Sequence, residues 1–306
     1  MRILFLGAGG VGGYFGGRLT QHGADVTFLV REGRASQLAD GLRIESPNGD
    51  ATIPVKTLLA GEQADPFDII ILTSKAYGLD GALDAIAPHV REGTVVMPLL
   101  NGLAHLEKID ARFQDATVWS GVARIPAELT PEGVVKHNGR LAGITVGPRP
   151  GQGATIPLVD KLVTALAEAG ITADRSDAPI QALWTKWVML CALAAGGCLL
   201  RGTIGEIART DHGADVLVSL LEECALVAVA EGYGLTDAEL EDNRAWFSDR
   251  SGSMSPSMLH DLRSGNPTEA DHVIGDMIRR AASHGIETPY LKIALTHLQV
   301  YEASRT

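Results

Sequence analysis

The strongest constraint on this chain is a glycine pattern set between an apolar strand and an apolar helix. Arg2-Ile3-Leu4-Phe5-Leu6 is a short run of the kind that forms a buried parallel strand. Gly7-Ala8-Gly9-Gly10-Val11-Gly12 follows it and fits G-x-G-x-x-G. The first glycine permits a tight turn, the second lets backbone approach a pyrophosphate, and the third lets the helix pack on the strand. From Gly10 to His22 the pattern is helical, with Val11, Tyr14, Phe15 and Leu19 near one face and Gly23 as the stop. Val26–Val30 then reads as a second strand. A helix start placed after such a turn attracts phosphate oxygens through its unpaired N–H groups and its dipole. The pattern therefore predicts dinucleotide binding.

The end of the second strand reports which dinucleotide. An acidic residue there suits a ribose 2′-hydroxyl, whereas arginine suits a 2′-phosphate. Here the sequence is Val30-Arg31-Glu32-Gly33-Arg34, which favours NADP through Arg31, with Arg34 as a second cation. Glu32 leaves an ordinary solvated loop of mixed charge as the other reading.

The chain has 306 residues, room for two domains, and a net charge of −11. That acidity argues against nucleic acid or an anionic membrane as the main partner. It also makes the few well-placed cations, Arg31, Lys75 and Lys186, more informative. Cys191, Cys198 and Cys224 form no C-x-x-C pair and sit in apolar surroundings, so buried thiols are expected rather than a disulfide framework or a metal site. No signal peptide is visible, and the most apolar run, Val188–Leu200, is bracketed closely by Lys186 and Arg201. A soluble, cytoplasmic protein is expected.

Phe67–Leu72 is a further strand with a continuous apolar character, and Lys75 follows its carboxyl end, where open parallel sheets gather ligands. A solvated lysine at a helix start has the same spacing. Thr94–Met97 runs into Pro98-Leu99-Leu100-Asn101-Gly102, so Asn101 also follows a strand end, as a ligand amide or as a turn residue. A hairpin spans Gly41–Val55, and strands are expected at Val118–Ile125, Gly133–His137 and Gly143–Val146 in a mixed sheet. From Pro179 onward helical periodicity takes over: Ile180–Ala195, Asp211–Tyr233, Asp237–Phe247, Pro267–His284 and Pro289–Ala303, punctuated by Gly196-Gly197 among others. The expected architecture is α/β, with a dinucleotide-binding domain over residues 1–177 followed by an all-α domain over residues 178–306.

In the second half, Lys186 lies inside the apolar helix Leu183–Met189. A desolvated ammonium there would serve as a general acid, but periodicity alone favours a lysine whose stem is buried and whose head is wet. Asn266-Pro267-Thr268-Glu269 reads as a helix start with Glu269 in the capping-box position. Ser257 is either a helix cap or a hydroxyl offered to a ligand.

These residues together resemble the ketopantoate reductase (2-dehydropantoate 2-reductase) family over essentially the whole chain. The resemblance is carried by Gly7–Gly13, Lys75, Asn101-Gly102, Trp184-Thr185-Lys186-Trp187, Ser257-Met258-Leu259-His260-Asp261-Leu262, Thr268-Glu269 and Arg279–Pro289. It implies a Rossmann-type N-terminal domain and NADPH-dependent reduction of ketopantoate to pantoate, in pantothenate and coenzyme A biosynthesis. By the same resemblance Lys186 is the general acid, Glu269 assists binding and proton transfer, and Asn101 and Ser257 meet the substrate. The cofactor falls to Gly7, Gly9, Gly10, Val11, Gly12, Arg31, Lys75, Asn101 and Glu269, with no metal.

The chain departs from the family where substrate-facing asparagines are usual: the matching positions are Leu190, Ala194 and Met254. These suggest a paralogous reductase of a more apolar 2-keto acid as the alternative. A non-catalytic NADPH sensor is a third reading, against which Lys186, Ser257 and Glu269 stand together. Apolar surface in the helical half suggests a homodimer.

Overall fold

A computed structural model describes residues 1–305 and divides the chain into two compact units. The first comprises Met1–Leu100 and His105–Ala182, the second Asn101–Ala104 and Leu183 onward.

The first unit follows the chain as β1 (Arg2–Leu6), α1 (Gly10–Gln21), β2 (Asp25–Leu29), α2 (Glu32–Gln37), β3 (Leu42–Glu45), β4 (Ala51–Ile53), β5 (Lys56–Leu58), β6 (Ile69–Leu72), α3 (Leu79–Ile86) and β7 (Val95–Pro98). It continues with α4 (Ala104–Arg112), β8 (Thr117–Arg124), β9 (Ala127–Leu129), β10 (Val135–His137), β11 (Gly143–Pro148), α5 (Ile156–Glu168) and β12 (Thr172–Arg175). Eight strands form one sheet in the order β12-β11-β8-β7-β6-β1-β2-β5, parallel throughout except where β8 meets β11. A second sheet has the order β4-β3-β10-β9. The apolar runs of β1 and β6 are buried on both faces, as a covered parallel sheet requires.

Helix α1 lies against both sheets, and its glycines explain how. A Cβ at Gly16 would stand 2.6 Å from Phe28, one at Gly17 2.7 Å from Leu42, and one at Gly13 2.6 Å from Val135. The glycine-rich helix is therefore a spacer between two sheets as well as the continuation of the turn. Gly133–His137 was expected within one mixed sheet. Its ordered part, β10, instead joins the smaller sheet, where its register with β3 and β9 satisfies its backbone.

The second unit is helical: α6 (Pro179–Leu200, which begins in the first unit), α7 (Ile204–Ala208), α8 (Gly213–Ala230), α9 (Asp237–Phe247), α10 (Ser257–Arg263), a π-helical turn (Asp271–Gly275), α11 (Asp276–Ser283) and α12 (Pro289–Ser304). Helix α6 runs straight through Gly196-Gly197 instead of breaking there. Close packing accounts for these glycines: a Cβ at Gly196 would stand 2.4 Å from Leu217, and one at Gly197 2.7 Å from Pro256. With 22 residues, α6 is long and apolar enough, by length and composition, to cross a membrane, because it extends the apolar run Val188–Leu200 back beyond Lys186. Its Trp184, Trp187, Val188, Cys191, Ala195 and Cys198 are instead buried in the protein.

Two charged groups hold this unit together from within. Glu223 of α8 is 7% exposed and accepts the N–H groups of Tyr290 and Leu291, each at 2.9 Å, capping the start of α12. Arg280 lies over the rings of Trp184 and Trp187 at 5.8 Å and pairs with Asp276 and Glu231.

Candidate functional site

The glycine turn sits at the carboxyl end of β1, between β2 on one side and β6 on the other. Chain order reverses there, and open sheets bind ligands at such a point. Gly7 has φ +96°, a conformation glycine alone adopts without strain, and Thr73 at the end of β6 donates its hydroxyl to the Leu6 carbonyl at 2.9 Å. Nothing stands within 4 Å of a Cβ built on Gly9, so the backbone there is open to a close-fitting group. Gly10 and Gly12 are crowded by protein instead: their Cβ atoms would stand 2.4 Å from the Ala127 carbonyl oxygen and 2.3 Å from Thr73. Beside Thr73, the Ser74 hydroxyl is buried without a protein partner. An open glycine backbone at a helix start and an orphaned hydroxyl fit a dinucleotide pyrophosphate.

Arg31 and Arg34 have separate fates. Arg31 is exposed just after β2; its carbonyl accepts the Arg34 and Ala35 amides, each at 2.9 Å, while its guanidinium makes no hydrogen bond or ion pair among the described residues. Arg34, read from sequence as a second phosphate cation, is turned inward. Its Nε and Nη2 donate to the Ala8 carbonyl at 3.0 and 2.8 Å, and its Nη1 to the Gly133 carbonyl at 2.9 Å. Burial pulls its pKa below the ordinary arginine value. Arg34 thus braces the glycine turn. Lys75 is half-buried and follows the carboxyl end of β6, at the head of the short 3₁₀ turn Ala76–Gly78.

The second unit brings four of the sequence candidates together. Lys186 Nζ donates to Asn101 Oδ1 at 3.0 Å. Asn101, Ser257 and Glu269 line one shallow depression with Leu190, Ala194, Pro256, Met258 and Val273. Glu269 is 7% exposed, and Ser257 stands at the solvent-facing start of α10. Leu190 and Ala194 lie one and two turns beyond Lys186 on α6, so helical geometry stacks all three on one face. Met254 is 51% exposed and does not line the depression.

The capping box expected at Glu269 is absent. The helix begins only at Ala270 and passes at once into the π-helical turn, and the Thr268 amide and hydroxyl both donate to Glu302 Oε1, at 2.6 and 2.7 Å. Glu302 thus holds the backbone next to Glu269 from α12. Ser257 is likewise the first residue of α10 rather than its cap, Pro256 holding the cap position. The π turn leaves the Val273 carbonyl to α6, which supplies the Trp187 indole N–H at 3.0 Å and the Cys191 thiol at 3.5 Å. His272 in the same turn donates from Nε2 to the Asn101 carbonyl at 2.8 Å. Sequence reasoning passed over His272 and Glu302, because their partners are distant in the chain and no local pattern marks them.

A parallel sheet carrying an open glycine turn, followed by a helical unit in which a lysine is hydrogen-bonded to an asparagine at the edge of a depression that a serine and a buried glutamate also line, is the arrangement of a dinucleotide-dependent oxidoreductase. Residues 3–151 match the family model described as ketopantoate reductase PanE/ApbA, and residues 180–302 match its C-terminal counterpart. The chain is 34% identical to the uncharacterized oxidoreductase YkpB of Bacillus subtilis over 100% of both chains. It is 31% identical to the 2-dehydropantoate 2-reductase of Pyrococcus horikoshii, covering 94% of this chain and 93% of that one. Among solved structures, 2-dehydropantoate 2-reductase from Methylococcus capsulatus superposes with a TM-score of 0.89 at 26% identity, covering 100% of this chain and 98% of that one. A ternary structure of D-mandelate dehydrogenase with NADH and anilino(oxo)acetate gives 0.88 at 25% identity, covering 100% and 99%. The chain belongs to the ketopantoate reductase family. It is an oxidoreductase.

Proposed function

We propose that this protein reduces the keto group of a 2-keto acid with NADPH, ketopantoate to pantoate being the first candidate reaction. The observation that carries the reading is the 3.0 Å hydrogen bond from Lys186 Nζ to Asn101 Oδ1 at the edge of a depression lined by Ser257 and Glu269. The reduced nicotinamide, when bound, supplies a hydride to the substrate's C2. Gly7, Gly9, Gly10, Val11 and Gly12 would hold the pyrophosphate, Arg31 the 2′-phosphate, and Lys75, Asn101 and Glu269 further parts of the cofactor.

Lys186 gives its proton to the carbonyl oxygen as negative charge develops there, and its ammonium stabilises that charge meanwhile. Asn101 aims the ammonium through Oδ1. Ser257 offers a hydroxyl to the substrate, and Glu269 a carboxylate that assists its binding and proton transfer. Ketone becomes alcohol by one hydride and one proton.

Leu190 and Ala194 favour a second reading. They make one wall of the depression apolar, so a 2-keto acid with an apolar substituent would lose fewer hydrogen bonds there than ketopantoate, whose side chain carries a hydroxyl. The relation to a D-mandelate dehydrogenase supports this second reading.

The test is NADPH consumption, followed by absorbance, with ketopantoate beside a panel of alkyl and aryl 2-keto acids, each repeated with NADH. Preference for ketopantoate supports the first reading, and preference for an apolar acid the second. No turnover with any of them would overturn both.

A further inference from the structure

A closed ring of contacts surrounds Lys186, and one member has no role in the reaction as derived above. Lys186 Nζ donates to the Asn101 side chain at 3.0 Å, and His272 Nε2 donates to the Asn101 main-chain carbonyl at 2.8 Å. The next residue, Val273, accepts from the indole of Trp187, which is the neighbour of Lys186 on α6. Helix α6, the Asn101 segment and the π turn are thereby tied to one another in a triangle. Each corner is a hydrogen bond between residues at least 85 positions apart.

His272 is well chosen for its corner. A carbonyl oxygen can only accept, so Nε2 carries the hydrogen, and this fixes the imidazole's tautomer in the neutral state. The bond survives protonation, because Nε2 keeps its hydrogen in the imidazolium. Gly102 completes the fit. It has φ +76°, and a Cβ there would stand 3.4 Å from Cδ2 and Nε2 of the same ring. The chain turns directly beneath the imidazole, which then holds the Asn101 carbonyl. Asn101 is a half-buried residue on a segment following β7. The bond restrains the Asn101 main chain, and with it the amide that meets Lys186.

We propose that His272 is a positioning residue for Lys186, acting through the backbone of Asn101. The proposal rests on the reading of Lys186 as proton donor. Its role is to keep Asn101 Oδ1 on the ammonium. It holds the proton donor in a productive position rather than touching the substrate.

The test compares His272→Ala, His272→Gln, Asn101→Ala and the double variant His272→Ala/Asn101→Ala with the wild type. His272→Ala is expected to lower kcat by about 10- to 100-fold, the range a misplacement near 1 Å produces, with KM and NADPH affinity nearly unchanged. His272→Gln, whose amide N–H can reach the same carbonyl, recovers most of the rate. In the Asn101→Ala background, His272→Ala adds little further loss, because the side chain it positions is already gone. Full additivity in the double variant, or failure of His272→Gln to recover any rate, would overturn the proposal.

NMR titration of labelled lysine side chains gives a readout without substrate. The Lys186 ammonium should lose its proton at lower pH in His272→Ala than in wild type, because an acceptor has left it. An unchanged titration would overturn the proposal even in a protein that reduces no 2-keto acid. Wild-type inactivity with a shifted titration would count against the proposed reaction alone. Should His272→Ala fail to fold, His272→Gln and its double variant with Asn101→Ala carry the comparison.

Discussion

Glu302, near the end of the last helix, accepts both the amide and the hydroxyl of Thr268, at 2.6 and 2.7 Å. Glu269 follows directly, so a residue 34 positions downstream of Thr268 fixes the entry of the buried carboxylate into the depression. Burial works against the Glu302 charge, but the Thr268 hydroxyl and amide and then Arg305 outweigh it and hold the carboxyl below its ordinary pKa of 4.5. Because the folded state lowers this pKa, its stabilisation is present above pH 4.5 and is lost as pH falls below that value. Glu302→Ala should cost about 1–3 kcal/mol of stability, read by denaturant melts, and lower kcat/KM through a misplaced Glu269. The stability difference from wild type should shrink in acid.

Lys186→Ala should reduce turnover by about 10²- to 10⁴-fold, the usual span for loss of a positioned general acid. NADPH binding, measured by fluorescence titration, should be nearly unchanged. A variant retaining wild-type turnover would remove Lys186 from the reaction.

The two arginines after β2 should separate cleanly. Arg31→Ala should weaken NADPH by roughly 10-fold, about the worth of a charged hydrogen bond, and leave NADH almost unaffected. Arg34→Ala should weaken both cofactors alike and lower the melting temperature, because it releases the Ala8 and Gly133 carbonyls. Affinity titrations with both cofactors, beside thermal melts, check the pair.

Leu190→Asn and Ala194→Asn test the apolar wall. Each should shift the kcat/KM ratio toward ketopantoate and away from aryl or alkyl 2-keto acids, by about 0.5–1.5 kcal/mol for a hydrogen bond gained. Competition assays on substrate pairs read the shift directly. Met254→Asn should do little, since Met254 is exposed outside the depression.

Glu223 carries a pH dependence of the opposite sign. Burial raises its carboxyl above the ordinary value of 4.5, against the two amide hydrogen bonds that lower it. The folded state therefore binds this proton more tightly, and the group's contribution to stability falls as pH rises from 4.5 through the folded pKa. Glu223→Gln should flatten that decline in a stability-versus-pH series. Glu223→Ala should destabilise at every pH by about 1–3 kcal/mol, because the Tyr290 and Leu291 N–H groups lose their acceptor.

Local pattern alone determined a good deal of this protein. The strand, glycine turn and helix from Arg2 to Gln21, and the long helices α8, α9 and α12, follow from apolar spacing within a few residues, which is the range over which periodicity acts. The same local range explains the errors. Gly196-Gly197 looks like a helix stop until Leu217 and Pro256 pack against it. Asn266-Pro267-Thr268-Glu269 looks like a helix start until Glu302 takes the Thr268 amide. Arg34 looks like a phosphate cation until Ala8 and Gly133 turn it inward.

Sequence resemblance picked out Asn101, Lys186, Ser257 and Glu269 as candidates, but only tertiary structure set Asn101, Ser257 and Glu269 around one depression with Lys186 bonded to its edge. It joined Lys186 to Asn101 across 85 residues and His272 to Asn101 across 171. The physical reason is one of range. Propensity and pattern act between neighbours, whereas a hydrogen bond between distant residues exists only once packing has brought donor and acceptor to about 3 Å.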